Sequence, residues 1–445
     1  MIGLDVLGAS QDLERTGYID QTTLHPLGLV AVIVLGGAMI LLPRRHAVLP
    51  LLVMACFVAP AQRIVVMTLD FDLVRVMVVG GWARLLLRGE LKAVKLNSVD
   101  RSLIVWAFLA VVIYGLGRGT VGAVIYRVGT AFDALGLYFL FRALIRDWRD
   151  IDRLVLGLIW ICCLVCVAFA AEYTTSRNAF SVFGGVPELT SVREGRLRCR
   201  GAFAHPILAG SFWASLVPLF CARWWGNAHG RVLAVVGALS AVAVVFMCGS
   251  SGPVFSLAAC VLGGCAFMLR NRMRAVRWTL AFGLIALHLI MNAPVYHLIS
   301  RVAVVGGSAG HHRYRLIHAA VERFWEWAAV GTVSTAHWGS RLFDVTNAYI
   351  LEGVRGGIIT LGCFVLVPVL AFRRIGLFLR TRHLSRMRLV VVWAMGVCIW
   401  VHMVNFVSVS YFGQTIIVWY LALALAGGLP YGGEGSNQKW KMRRL

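Results

Sequence analysis

The chain has 445 residues, 59% of them hydrophobic and 14% charged, with a mean hydropathy of +0.78. No water-soluble core of that size can hold so much apolar surface, so a soluble globular protein is excluded and lipid must solvate most of the chain. A net charge of +23 would suit nucleic acid, but the basic residues lie between apolar runs, where positive charge orients membrane helices, and no nucleic-acid partner is expected.

Residues 1–24 are polar, with Asp5, Asp12, Glu14 and Asp20 and no basic stretch ahead of an apolar one. No cleavable signal peptide is expected, and the first apolar span then serves as the insertion signal. Apolar spans follow near 25–42, 47–66, 72–87, 103–117, 121–141, 154–171, 202–222, 232–248, 253–269, 278–291, 356–372, 389–407 and 413–428. Arg63, Asp70, Asp72 and Arg75 interrupt the stretch from 47 to 87. The pattern predicts an all-α polytopic membrane protein of about 12–13 transmembrane helices, without internal repeats. Its parts are a polar segment at 1–24, helices over 25–291, a long outer loop at 292–355 containing short helices, helices over 356–428, and a basic tail at 429–445.

Alternate connections carry Arg44 and Arg45; Arg88, Lys92, Lys95 and Arg101; Arg142, Arg146, Arg149 and Arg153; Arg223 and Arg231; Arg270, Arg272, Arg274 and Arg277; and Arg373 to Arg388. Lys439, Lys441, Arg443 and Arg444 close the series. The positive-inside rule places this set in the cytoplasm, and the N-terminus outside if the span count is odd. Residues 172–201 and 292–355 are then the two long outer connections. Ten of the eleven cysteines lie in apolar spans, where a thiol behaves as a small hydrophobe; Cys199 lies in an outer loop. Neither a disulfide framework nor a metal site is expected.

Both outer connections break the charge rule. The first places Arg193, Arg196, Arg198 and Arg200 within eight residues, just before a membrane helix. In the second, Arg313 and Arg315 follow Gly306, Gly307 and Gly310 and open a predicted helix with an apolar face of Ile317, Val321, Phe324 and Ala328. Guanidinium forks at a helix start, added to free N–H groups and the helix dipole, suit an anion. At the outer surface of a bacterial-type inner membrane, lipid-linked diphosphates are the abundant activated donors, and such a group needs several cations as it leaves. Contacts with lipid phosphates in general are the plainer alternative.

The order of several motifs resembles the O-antigen ligase and O-antigen polymerase superfamily, with its exopolysaccharide polymerase-like branch. These are QRIVVMTLDFDLVRVMVV, YFLFRALIRD, VREGRLRCRGAFAHPILAGSFWASLVPLF, GSSGPVFSLAAC, the arginine helix of the long loop, WGSRLFDVTNAYILEGVRGG and VNFVSVSYFGQ. The resemblance runs from about residue 60 to the C-terminus. It implies a multi-pass glycosyltransferase of GT-C type in the bacterial inner membrane, its active site facing the periplasm. Such an enzyme moves a glycan from undecaprenyl diphosphate to an acceptor hydroxyl with inversion, using no cofactor and no metal. The acceptor is a growing polysaccharide or lipid A core. Membrane lipids and a chain-length regulator are further partners.

Carried over by position, Arg200 matches the arginine ahead of the glycine–aromatic turn, and Arg315 matches the arginine of the loop helix, with Arg313 beside it. Arg193 and Arg196 join them as donor-side candidates. Thr346 stands where the ligases carry a histidine before Asn347, which favours polymerase over ligase. Threonine is no base near neutral pH, so Asp344 is the first candidate for the acceptor-side base and His337 the second; Asp344 could equally cap the next helix. Asn347, Tyr349 and His205 are candidates for the acceptor or glycan side. Trp325, Trp327 and Trp338 suit interfacial anchoring. Arg127 and Asp133 are intramembrane charges expected to pair across helices. Glu172 ends its span and faces either the donor site or water. A transporter or flippase for an anionic solute is the alternative of a different class. It calls for broken helices and an internal repeat; the sequence offers a break near Gly252–Pro253.

Overall fold

The computed structural model describes residues 22–66, 69–301, 309–381 and 384–429. Its helices are α1 (Pro26–Leu41), α2 (Leu49–Phe57), α3 (Leu73–Leu87), α4 (Ser98–Arg118), α5 (Val121–Leu144), α6 (Trp148–Thr175), α7 (Pro206–Ala222), α8 (Ala228–Met247), α9 (Ser251–Cys265) and α10 (Met273–Ile290). After the short α11 (Leu298–Arg301) come α12 (Ala309–Glu322), α13 (Phe324–Trp327), α14 (Ala348–Thr381), α15 (Arg386–Phe406) and α16 (Thr415–Gly428). Two small antiparallel hairpins interrupt them: β1 (Arg63–Val66) with β2 (Leu69–Asp72), and β3 (Ser191–Arg193) with β4 (Arg196–Arg198). Among the described residues, eight helical runs are long and apolar enough to cross a membrane, the continuous run from Ser251 to Ile290 counting as one; α1 and α16 are shorter apolar helices. The protein is thus a mostly helical, multi-pass membrane protein.

Side chains at the helix ends sort the connections onto two faces. On the lower face, Arg44 donates to Leu144 O and to Asp150, each at 2.6 Å. There too Arg84 reaches Leu42 O at 2.6 Å, Arg142 pairs with Asp100 at 3.3 Å, and Asn97 donates to Gly427 O at 3.1 Å. Arg223 pairs with Asp152, and the Arg388 guanidinium lies over Trp148. The upper face gathers the opposite ends: His25 N–H donates to Gln62 Oε1 at 3.2 Å, Asn178 to Gly201 O at 2.8 Å, and Gln414 to Ala202 O at 2.8 Å. Arg118 donates to Thr332 O at 3.1 Å. The segments 176–205 and 309–347 both belong to this upper face.

The span expected at 47–66 is reduced to the nine residues of α2. Val58 turns extended, and Arg63 and Asp70, 2.6 Å apart, cross-pair on the β1–β2 hairpin instead of entering a helix. Within the bundle, α7 and α16 are buried almost end to end, as expected of helices that are apolar all round. The intramembrane charges are paired between helices. Arg75 forks onto Asp133 at 2.8 and 2.7 Å, and Arg127 meets Glu352 at 2.6 Å beside the Trp106 indole N–H. These pairs tie α3 to α5 and α5 to α14.

Beyond α10, Tyr296 stacks on Tyr314 of α12. The adjacent Arg313 reaches the start of α9, so α10 runs back toward the upper face. The upper segment has its own small core of Leu316, Ala320, Trp327, Trp338, Leu342 and Val354. Trp327 and Trp338 are therefore core residues, not interfacial anchors; the Trp327 indole donates to Ala320 O at 2.8 Å. Trp325 is 88% exposed.

Candidate functional site

Several helices end or begin at one place beneath the upper segment. Together they form a floor. It is made by the ends of α2, α8 and α15, the starts of α7, α9 and α16, and the loop Arg198–His205.

Glycine lets these pieces meet. Gly249 has φ +54°, and a Cβ there would lie 2.6 Å from Leu197 O, so a side chain would push β4 off the α8–α9 turn. With glycine in place, Cys199 N–H bonds Met247 O at 3.0 Å. The turn brings Arg198 into the floor with 9% of its surface exposed. Burial, and then Arg193, hold the Arg198 guanidinium below its usual value.

Arg200 follows. Its N–H and that of Gly201 donate to the carboxylate of Glu172 at 3.1 and 2.9 Å, and its guanidinium donates to Ala204 O at 3.0 Å. Burial lowers the Arg200 value and Glu172 opposes the shift. Glu172 itself is fully buried and also accepts from Thr190 Oγ1 at 3.0 Å, so it neither contacts water nor stands open to a ligand. His205 caps α7, its Nδ1 accepting from Ile207 N–H at 3.2 Å, and Pro206 takes the first helical position.

Arg313 is the most unusual cation of the group. It is 8% exposed, yet among the described residues no carboxylate pairs with it and no acceptor takes its protons. Burial holds it below the ordinary guanidinium value. A Cβ built on Gly252 would lie 3.9 Å from Arg313 Nη2, 3.8 Å from Ile207 Cγ2 and 3.6 Å from Ser408 Oγ. Arg313 thus lies beside the first turn of α9, where backbone N–H groups have no partner within the helix. The start of α7 is closed, because Pro206 has no N–H and Ile207, Leu208 and Ala209 all donate to His205.

The buried face of α12 carries Arg313, Leu316 and Ala320, not the expected stripe of Ile317 and Val321; Val321 is exposed. The apolar stripe read from the sequence extended into 324 and 328, but α12 stops at Glu322 and α13 starts afresh. Gly306 and Gly307 lie outside the described residues, while Gly310 sits in the first turn of α12. Arg315 is half-buried against Gly339, where a Cβ would come within 3.0 Å of its Nη2. Burial, and then Arg315, Arg313 and Arg341, depress the imidazole of His312. Four basic side chains therefore crowd one end of α12. Arg193 and Arg196 stand exposed on the β3–β4 hairpin, Arg193 near Glu194, outside this group.

On the acceptor side the geometry is more selective. The helix after DVTN begins at Ala348, and Asn347 Oδ1 caps it by accepting from Ile350 N–H at 3.1 Å. Asp344 is therefore not its cap; its carbonyl accepts from Thr346 N–H at 3.0 Å. Asn347 also donates to Val407 O at 3.1 Å, and the Tyr349 hydroxyl donates to Met403 O at 3.0 Å among Phe364 and Phe406. Both side chains join α14 to α15. His337 is bound 3.0 Å from Glu326, which also accepts from Trp338 and Thr332. Those hydrogen bonds outweigh its desolvation and pull the Glu326 carboxyl below its ordinary value.

Arg198, His312, Arg341, Ser408 and the structural use of Glu172 were not singled out as site features by sequence reasoning. Arg198 gave a signal through its cluster; the others depend on contacts between distant segments. A comparison with protein-family models finds no match for this chain, and none is found among curated proteins.

Proposed function

We propose that the protein is a membrane glycosyltransferase that takes a glycan from undecaprenyl diphosphate and adds it to an acceptor hydroxyl. The observation that carries this reading is Arg313: a buried guanidinium without an ion pair among the described residues, beside the N-terminus of α9. Such a site is electrostatically incomplete until an anion enters it. Arg200 and Arg198 add charge around the same floor, enough to suit a diphosphate better than a single phosphate.

In this reading the acceptor oxygen attacks the anomeric carbon from the face opposite the diphosphate. The carbon–oxygen bond to the diphosphate breaks, and lipid diphosphate leaves with the electron pair. Asp344 takes the hydroxyl proton, and inversion follows from single displacement. Polymerisation of O-antigen or exopolysaccharide repeats is favoured over ligation to lipid A core because Thr346 replaces the ligases' histidine. The active site then faces the periplasm from the inner membrane, with a chain-length regulator as a further partner.

The test is transfer by purified protein in proteoliposomes given lipid-linked repeats. The expected product is a lipid-linked chain longer by whole repeats, with release of undecaprenyl diphosphate. Movement of intact lipid-linked repeats between leaflets without a new glycosidic bond would establish the flippase alternative instead.

A further inference from the structure

We infer that Glu172 is the positioning residue of the anion site, acting through Arg200; the inference rests on the diphosphate reading above. Glu172 lies in the last turn of α6 and is completely buried. A carboxylate there faces the negative end of its own helix, and burial adds a desolvation cost. Three donors from the outer loop offset both: Thr190 Oγ1 at 3.0 Å, Arg200 N–H at 3.1 Å and Gly201 N–H at 2.9 Å. Two successive amides gripped by one carboxylate fix the direction in which the chain leaves Cys199. Gly201 then turns with φ +56°, and a Cβ at that position would collide with Phe169 at 2.4 Å, so the turn is packed as tightly as it is bonded. The Arg200 guanidinium, donating to Ala204 O, inherits its place from this grip.

A negative charge inside a cationic site has a second consequence, and it has the opposite sign. By Coulomb attraction alone, neutralising Glu172 should tighten the binding of an anion. By positioning, neutralising it should weaken binding: a glutamine must turn an N–H₂ toward one of the N–H donors and releases the turn. The two roles are thus separated by the direction of the change. Because Glu172 acts through Arg200, its loss should also cost nothing further once Arg200 is gone.

The experiment is calorimetric titration of the purified full-length protein with inorganic pyrophosphate, comparing Glu172→Gln, Arg200→Ala and the double variant. The glutamine variant is expected to bind about tenfold more weakly, the loss of roughly one charge-assisted hydrogen bond. The double variant should bind within about twofold of Arg200→Ala. Glu172→Asp should recover part of the loss, and if the glutamine variant does not fold, the aspartate variant is tested in its place with the same sign expected. Unchanged or tighter binding in the glutamine variant overturns the assignment, as do losses that add in the double variant. If the parent binds no pyrophosphate, the diphosphate reading falls, and this assignment with it. Binding lost on Glu172→Gln but untouched by Arg200→Ala overturns the assignment alone.

Discussion

Replacing Arg313 by methionine should make the protein more stable and less able to bind its ligand. Arg313 is 8% exposed and has no ion pair among the described residues, so the empty protein bears the cost of burying a cation without a counter-charge. In real proteins that cost runs to several kcal/mol before relaxation and water entry. Methionine has nearly the same length and no charge to desolvate, and the stem of Arg313 already packs in an apolar setting beside Leu316. A gain of about 2 kcal/mol in anion-free buffer is expected, seen as a higher unfolding midpoint. Removing a charge-assisted fork should cost about 1.5–3 kcal/mol of pyrophosphate binding, or roughly ten- to more than a hundredfold in Kd. The assay is thermal unfolding in detergent with and without pyrophosphate. The parent's midpoint should climb with ligand by mass action, and the variant's should start higher and stay level. A variant that unfolds earlier than the parent without anion, or that climbs with pyrophosphate as the parent does, refutes the reasoning.

Glu352→Gln should destabilise the protein by about 3–5 kcal/mol, because it leaves Arg127 buried beside Trp106; an Arg127→Met, Glu352→Met double variant should recover most of the loss, read by unfolding midpoints. Asp344→Asn should slow transfer on the order of a hundredfold while pyrophosphate binding stays at the parent's level. His337→Ala should leave turnover within about threefold, since its imidazole is engaged with Glu326; a collapse of turnover would move the base to His337. Gly357→Ala should sharply reduce folded yield by size-exclusion chromatography: its φ is +69°, and a Cβ would stand 2.3 Å from Ala329 O, a strain of at least about 2 kcal/mol.

What could be read from the chain followed from local physics. Hydrophobic runs locate the helices, because each span needs only its own composition. The segment 47–66 misled because apolar content says nothing about the cross-pairing of Arg63 with Asp70, which favours a hairpin. At the site, the arginine clusters stood out by breaking the charge rule. Which of the arginines enter the floor did not: Arg198 and Arg313 are buried, whereas Arg193 and Arg196 are exposed, and neighbours in sequence end on different surfaces. Glu172 as clamp was hidden for the same reason, since it depends on Gly201, brought near by the fold of the whole bundle. Asn347 as cap is a local role, but its second bond, to Val407, comes from the distant end of α15.

The unequal helix lengths also bear on the surrounding bilayer. The lipid-facing α1 and α3, with exposed Val30, Ile33, Leu86 and Leu87, are 16 and 15 residues long, about 22–24 Å of hydrophobic belt. The apolar stretch of α6, 154–171 with exposed Trp160, Leu164 and Val167, covers about 27 Å, since the first turns of the helix carry Arg149, Asp150, Asp152 and Arg153. The bilayer is therefore drawn a few ångströms thinner beside α1 and α3 than beside α6. In a thick bilayer this mismatch is costlier. The unfolding midpoint of the protein in vesicles should then fall as acyl chains lengthen, at constant headgroup charge.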